Sequence, residues 1–256
     1  MSEFAGETAV VTGAASNIGA AIARRLANAG VQTILIDINA DGLGTTAASL
    51  NAQAPTPVPI TADLATSDGW HAVADQCADM PVDMFVHAAC PRRNEADTVA
   101  AVSEETFDAM INVNVRSGFF LARTFGLSMQ HRGAAGRILF ITSLHATSPR
   151  NLPHYAASKA AQTMLVAELA RYFAASNIRV NAIAPGVIPG GGFTPDGGFD
   201  ALVAKIPAHR TGSADEVADT ALAVLSNRLM PYVTGTTLPV DGGVQHYNWI
   251  DAAQAD

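Results

Sequence analysis

Tyr155 and Lys159 are the two residues of this sequence whose types and spacing most clearly suggest proton chemistry. They stand four positions apart, so a helix carries the phenol and the ammonium on one face, close enough to interact. A neighbouring positive charge favours the phenolate and lowers the pKa of a tyrosine toward the range where it exchanges protons at neutral pH. The same spacing also fits an ordinary exposed pair, so the interpretation depends on the elements around it.

Lysine is scarce in this chain. Of the 15 basic residues only Lys159 and Lys205 are lysines, and the other 13 are arginines. A lysine one helical turn from a tyrosine is therefore less easily explained as incidental.

The composition indicates a globular α/β protein. The chain has 256 residues, of which 49% are hydrophobic and 15% charged, which predicts a sizeable core. The formal net charge of −8 argues against a nucleic-acid partner. The sequence predicts no signal peptide, no membrane span and no metal site, and its two cysteines suit a reducing compartment. We therefore expect a cytoplasmic protein with a small-molecule substrate, no nucleic acid, no membrane association and no metal.

Short β-rich runs alternate with longer helical patterns along the whole chain. Strands are predicted at 8–12, 33–37, 58–61, 83–87, 137–142, 178–184 and 236–240, and the longest helices at 104–131 and 154–175. This alternation predicts a doubly wound, Rossmann-type α/β fold, in which helices cover both faces of a central parallel sheet. Nothing divides residues 1–256 into two domains. The glycine-rich stretch within about 186–210 predicts a mobile substrate loop.

A glycine-containing turn follows the first predicted strand. Gly13 to Gly19 lies between that strand and a helix, where backbone N–H groups can bind a pyrophosphate. Asn17 stands where a glycine is expected, but asparagine tolerates a left-handed backbone. Asp37 comes 24 positions after Gly13, where a carboxylate binds ribose hydroxyls and repels a 2′-phosphate. We therefore predict NAD rather than NADP, although Asp37 could instead cap the next helix.

Ser143 directly follows the strand predicted at 137–142. It therefore lies at a carboxyl end of the sheet, where ligands of doubly wound folds bind. Tyr155 and Lys159 follow in the next helix. A hydroxyl, a phenol and an ammonium that converge there can move a proton while a nicotinamide moves a hydride.

These motifs, in this order, resemble the short-chain dehydrogenase/reductase family over nearly the whole chain, from Thr8 to Gly243. The turn Thr12–Gly19 matches the family's T-G-x-x-x-G-x-G pattern, except that Asn17 replaces the second glycine. His87-Ala88-Ala89-Cys90 replaces the family's Asn-Asn-Ala-Gly segment, which is a considerable departure. The match closes at Val240–Gly243.

The resemblance implies a catalytic set of Asn114, Ser143, Tyr155 and Lys159. Tyr155 would be the general acid/base, and Lys159 would lower its pKa and bind the nicotinamide ribose. Ser143 would orient the reacting oxygen, and Asn114 would hold a water in a relay from Lys159 to solvent.

The resemblance also implies the cofactor site, and two catalytic assignments have a nearby competitor. Asn112 competes with Asn114, and Thr142 competes with Ser143 because the spacing to Tyr155 is one residue shorter than is usual in the family. The predicted cofactor-binding residues are Gly13, Ser16, Asn17, Ile18, Asp37, Asp63, Leu64, Ala88, Tyr155, Lys159, Pro185, Gly186 and Ile188.

The side chains expected to contact substrate are polar and partly basic. They are Arg93, His145, Arg150 and His154. In an acidic protein this set favours a sugar, a polyol or an anionic hydroxy compound as the substrate. The alternative is that the arginines have no role in binding and only solvate loops or cap helices. The alternatives are an NADPH-dependent 3-oxoacyl reductase and, from another class, a non-catalytic NAD-binding protein. The resemblance further implies a homo-oligomer, with a tetramer favoured, formed by the two long helices and the last strand.

Overall fold

The protein, studied as a computed structural model, is described over residues 2–190 and 200–246. Within these residues strands and helices alternate. The strands are β1 (Thr8–Thr12), β2 (Gln32–Asp37), β3 (Val58–Thr61), β4 (Val82–His87), β5 (Arg137–Ile141), β6 (Arg179–Pro185) and β7 (Thr237–Val240). The α-helices are α1 (Asn17–Asn28), α2 (Ala40–Ala48), α3 (Ser67–Gln76), α4 (Glu104–Ile111), α5 (Gly118–Arg132), α6 (Pro153–Phe173), α7 (Asp200–Val203) and α8 (Ala214–Leu225).

The seven strands form one parallel sheet in the order β3-β2-β1-β4-β5-β6-β7. The chain builds outward from β1 to β3 and then crosses to β4 on the other side of β1. Thr12 at the end of β1 is in register with His87 at the end of β4. The crevice at these two carboxyl ends is the place where doubly wound folds bind ligands. The predicted fold class is confirmed.

Two apolar layers attach the helices to the sheet. Val11 and Val86 face α1, α2 and α8 on one side, and Val10 and Phe85 face α3, α5 and α6 on the other. Every residue of β1, β5 and β6 is buried. Because both faces are covered, β1 and β5 appear in the sequence as short, nearly continuous apolar runs rather than as alternating patterns. β6 differs in that it also carries the buried Arg179 and Asn181.

The helix predicted at 104–131 is confirmed, because helical structure continues without a break from Glu104 to Arg132. A wide π-helical turn, Asn112–Ser117, lies between α4 and α5. The sequence analysis did not predict this turn, which changes the local hydrogen-bond pattern without ending the helix.

The predicted loop at about 186–210 lies partly outside the described residues, at 191–199. Its described portion contains the short helix α7. Along the described chain, no helix is long and apolar enough to cross a membrane. The described residues also contain no cluster of three or more His, Cys, Asp or Glu side chains suited to a metal ion.

Candidate active site

A cavity of about 1120 Å³ follows the carboxyl ends of the strands from β3 across to β6. It is large enough for a dinucleotide and a small substrate. Its lining includes these predicted residues: Gly13, Ser16, Asn17, Ile18, Asp37, Asp63, Leu64, Ala88, Arg93, Ser143, His145, Arg150, Tyr155, Lys159, Pro185, Gly186 and Ile188. Asn114 and His154 are instead completely buried behind this surface.

The turn after β1 leaves no room for side chains at its two glycines. A Cβ at Gly13 would lie 2.7 Å from the backbone of Ala88, and one at Gly19 would lie 2.0 Å from the Gly13 carbonyl oxygen. Asn17 has φ 47° and so adopts the left-handed conformation that asparagine tolerates. The Ser16 side chain makes no capping bond, and no acidic residue lies in the first turn of α1. The N-terminal N–H groups of α1 therefore suit an anion such as a pyrophosphate.

Asp37 at the end of β2 is held by backbone N–H groups. Its two carboxylate oxygens accept hydrogen bonds from Ala15 N at 3.1 Å and Asn39 N at 3.0 Å. The cap of α2 is Asn39, whose side chain accepts from Gly42 N. Asp37 is thus not the helix cap, and its carboxylate lies against the phosphate-binding turn on the cavity wall.

Tyr155, Lys159 and Ser143 converge where α6 crosses the end of β5. Lys159 Nζ lies 5.7 Å from the centre of the Tyr155 ring and donates a 2.9 Å hydrogen bond to the carbonyl oxygen of Ile141. The Ser143 side chain lies close enough to Tyr155 to lower the pKa of the phenol, and Ser143 Oγ accepts from His145 N at 3.2 Å. The Thr142 hydroxyl instead donates to the carbonyl oxygen of Ile183 on β6 at 2.9 Å. The geometry therefore favours Ser143 over Thr142 as the residue beside the phenol.

The phenol is strongly desolvated, since Tyr155 is only 7% exposed. Burial raises the pKa of Tyr155 to about 12, and the Cys90 thiol adds to the rise, while Arg93 and Ser143 oppose it. Burial also lowers the pKa of Lys159. The expected net lowering of the tyrosine pKa is wrong for the protein alone, because removing a phenolate from water outweighs the nearby positive charges.

Asn114 is connected to α6 through both its side chain and its backbone. Its Nδ2 donates to Ser158 Oγ at 2.8 Å, and the Ser158 hydroxyl donates to the carbonyl oxygen of Tyr155 at 2.8 Å. The carbonyl oxygen of Asn114 accepts a 2.9 Å bond from Gln162 Nε2. Asn112 is only half-buried, so these contacts favour Asn114. Its water-holding role stays a prediction.

His87, which departs from the family pattern, bridges the sheet and the wide turn. Its Nδ1 lies 3.0 Å from Thr12 Oγ1 and its Nε2 lies 3.1 Å from the carbonyl oxygen of Val113. Burial lowers the pKa of His87 to about 3, so the imidazole is neutral. His87 therefore holds the substituted segment in place through hydrogen bonds to β1 and to the wide turn. Sequence reasoning missed His87 and Gln162 as site residues; the available signal was a polar residue within an otherwise apolar pattern.

The substrate side of the cavity is formed by the loops after β4 and β5. The Arg93 guanidinium lies 4.7 Å from the centre of the Tyr155 ring. Arg150 forms an ion pair with Glu95 and lies 3.4 Å from His145 Nε2. His145 donates through Nδ1 to the carbonyl oxygen of Ser148 at 2.9 Å. Burial lowers the pKa of His145 to about 4, so this histidine is neutral.

His154 was predicted to contact substrate, and the structure contradicts this. The residue is 0% exposed at the start of α6, and neither ring nitrogen has a hydrogen-bond partner among the residues that the structure describes. Burial lowers its pKa, which keeps the ring uncharged. The prediction failed because neighbouring residues of a helix point about 100° apart, so His154 lies on the face of the buried Ser158 rather than on that of Tyr155.

Comparison with known proteins agrees with this geometry. A family model described as enoyl-(acyl carrier protein) reductase matches residues 13–245. The chain belongs to the short-chain dehydrogenase/reductase family. It is an oxidoreductase of that family, whose members bind a nicotinamide cofactor.

Several relatives act on sugars or their derivatives. The chain is 34% identical to 2-dehydro-3-deoxy-D-gluconate 5-dehydrogenase of Bacillus subtilis, covering 93% of this chain and 94% of the relative. It is 35% identical to galactitol 2-dehydrogenase (L-tagatose-forming) of Cereibacter sphaeroides, with the same two coverages. A solved structure described as an NAD(P)-dependent gluconate 5-dehydrogenase of Beutenbergia cavernae, with NADP at low occupancy, has a TM-score of 0.84 and 33% identity over 94% of this chain and 98% of that one.

Proposed function

We propose that this protein is an NAD-dependent dehydrogenase that interconverts a secondary alcohol and a carbonyl in a sugar, a polyol or a sugar acid. The observation that carries the proposal is the convergence of Tyr155, Ser143 and Lys159 at one end of a cavity whose other end holds Asp37. When bound, the nicotinamide supplies the hydride acceptor or donor. The remaining steps belong to the protein.

Tyr155 moves the proton at the reacting oxygen. In the reductive direction its phenol donates to the developing alkoxide, and in the oxidative direction its phenolate takes the alcohol proton. Ser143 donates a hydrogen bond to the same oxygen and holds it against the phenol. Because burial raises the pKa of Tyr155 to about 12, the tyrosine is protonated at neutral pH and is suited to reduction there. Lys159 would bind the nicotinamide ribose, and Asn114 would hold a water of the proton relay.

The residues of the cavity fit a dinucleotide. The close-packed Gly13 and Gly19 and the uncapped N-terminus of α1 suit the pyrophosphate. Asp37 suits the adenosine ribose and disfavours a 2′-phosphate by charge repulsion. Asp37 accepts from the N–H groups of Ala15 and Asn39. The lining contributed by the residues that directly follow β2 and β3 contains no positive charge: it is Ile38, Asn39, Ala62, Asp63, Leu64 and Ala65. This set supports NAD over NADP.

The substrate class is supported by the basic side chains beside Tyr155. Arg93 lies over the phenol ring, and Arg150 and His145 line the adjacent wall. A guanidinium at this place suits a substrate that carries hydroxyls or a carboxylate near the reacting carbon. The sugar-acid and polyol activities of the two relatives are of the same class.

The 3-oxoacyl reductase alternative draws its support from other comparisons. The matching family model is described by an acyl-carrier substrate, and the Beutenbergia structure contains NADP. A steady-state comparison decides between the two functions. The protein is assayed with NAD and NADP against sugar acids, polyols and aldoses, and with NADPH against a 3-oxoacyl thioester. We expect the highest kcat/KM for NAD with a polyhydroxylated substrate. A preference for NADPH and the thioester would replace the proposed function.

We also propose a homo-oligomer, with a tetramer favoured. Large apolar side chains are exposed on the helices that the family resemblance assigns to subunit contacts. They are Phe107, Leu127, Met164 and Tyr172. Sedimentation of the full chain and of its Met164→Glu variant tests this assembly, and a monomeric wild type would overturn it.

A further inference from the structure

The wide turn Asn112–Ser117 accepts hydrogen bonds from two elements that lie on different sides of it. An inserted residue in a helix displaces carbonyl groups from their usual partners, and these groups then need other donors. The carbonyl oxygen of Val113 accepts from His87 Nε2 at 3.1 Å and, within the turn, from Ser117 Oγ at 2.7 Å. The carbonyl oxygen of Asn114 accepts from Gln162 Nε2 at 2.9 Å. Two consecutive carbonyls are therefore bound from β4 and from α6.

The hydrogen-bond pattern determines which ring nitrogen of His87 carries the proton. Thr12 Oγ1 accepts from the N–H groups of Ala88 and Ala89, both at 3.2 Å. Its own hydrogen is therefore directed to His87 Nδ1, 3.0 Å away. The proton of the neutral ring then lies on Nε2 and is donated to Val113. The ring is also sterically confined, because a Cβ at Gly118 would come within 2.9 Å of it.

Gln162 lies on α6 three positions after Lys159 and is 0% exposed. Its amide reaches the turn from the helix that also carries Tyr155. The Asn114 side chain meets the same helix at Ser158. Displacement of the turn would therefore change the position of Asn114 relative to the proton-transfer residues.

We propose that His87 and Gln162 are positioning residues that clamp the carbonyl groups of Val113 and Asn114 and so hold Asn114 against α6. The kinetic part of this inference rests on the proposed function, because it needs a proton-transfer reaction to observe. The clamp itself is structural and has a readout of its own.

Hydrogen exchange tests the clamp without any substrate. Gln162→Met keeps the length of the side chain and removes the donor, while Thr163→Val is the matched control on the next residue of α6, whose hydroxyl bonds only within the helix to the Lys159 carbonyl oxygen. Mass spectrometry should show faster exchange at 112–118 in Gln162→Met and in His87→Asn, and no change there in Thr163→Val. Unchanged exchange in both clamp variants would overturn the proposal, even if the protein turns over no substrate.

Kinetics then test what the clamp does for the reaction. We expect Gln162→Met to lower kcat about tenfold, the order of one lost positioning hydrogen bond, while the Kd for NADH changes less than about twofold. Gln162→Glu can donate only when protonated, so its reductive kcat relative to wild type should rise as the pH falls. A parallel loss of kcat, NADH binding and melting temperature, with no pH-dependent rescue, would show a merely structural role and refute the proposed positioning. If the protein has no dehydrogenase activity, the proposed function is refuted. The hydrogen-exchange experiment then tests the clamp by itself.

Discussion

The two halves of the cavity are built by different means. In the cofactor half, formed by the residues that follow β1, β2 and β3, the backbone determines the shape. Glycines approach other backbone atoms too closely for any side chain, and Asp37 is held by two N–H groups. In the substrate half, formed by the loops after β4 and β5, side chains contact side chains. Arg93 stacks on Tyr155, and Arg150 pairs with Glu95.

This difference explains how each half of the cavity should respond to substitution and how far each can be predicted from the sequence. Backbone geometry leaves a recognisable pattern of glycines and strand ends, so the cofactor half is predictable. Side-chain contacts depend on loop conformation, and ion pairs near the surface contribute little rigidity. We therefore expect substitutions in the cofactor half to change the choice between NAD and NADP. Substitutions in the substrate half should change the KM for substrate and the pH dependence of the reaction.

The largest effect is expected where the halves meet. Tyr155→Phe removes the proton-transfer group and should lower kcat/KM by about 10²–10⁴-fold. NADH binding, measured by fluorescence titration, should be largely kept because the phosphate turn is untouched. Tyr232→Phe, a change on a fully exposed tyrosine outside the cavity lining, is the control and should behave like wild type. Near-normal turnover in Tyr155→Phe would show that Tyr155 does not transfer the proton.

The second prediction concerns the cofactor half. Asp37→Ser removes the carboxylate that repels a 2′-phosphate, so the ratio of kcat/KM for NADP to that for NAD should rise about 10- to 100-fold. Asp41→Ser changes an exposed carboxylate in the first turn of α2 and should leave the ratio unchanged. If wild type already prefers NADP, the proposed role of Asp37 is wrong.

The third prediction concerns the substrate half. Arg93→Gln should raise KM for a sugar acid about 10- to 100-fold, the order of a lost charged hydrogen bond, and should affect an uncharged polyol less. Arg93 opposes the burial-induced rise of the Tyr155 pKa, so its loss should raise that pKa further. Less phenolate is then present at any given pH, and the profile of kcat/KM for oxidation should shift to higher pH. If KM changes equally for the sugar acid and the polyol and the pH profile of kcat/KM does not shift, Arg93 does not recognise the substrate.

The smallest effect is expected at His154. His154→Leu replaces a buried ring whose nitrogens have no hydrogen-bond partner in the described part of the chain, so the free energy of unfolding should rise by about 0–2 kcal/mol. Its kcat/KM should stay within about threefold of wild type. Urea denaturation and steady-state kinetics measure both quantities. A large rise in the KM of His154→Leu would show that His154 does contribute to substrate binding.

The sequence by itself determined the sheet, the phosphate turn, Asp37 and the order of Ser143, Tyr155 and Lys159, because these follow from local patterns. Apolar runs mark buried strands, glycines mark close backbone approaches, and a four-residue spacing marks one helical face.

Only the tertiary structure decided how these residues behave. Desolvation of Tyr155 reverses the expected direction of its pKa, since burial depends on which loops cover the helix. The complete burial of His154 likewise depends on what packs against its face of α6. The links from His87 and Gln162 to the wide turn join residues 26 and 48 positions apart. Contacts of that kind exist only once the sheet and helices have brought distant parts of the chain together, so no local pattern contains them.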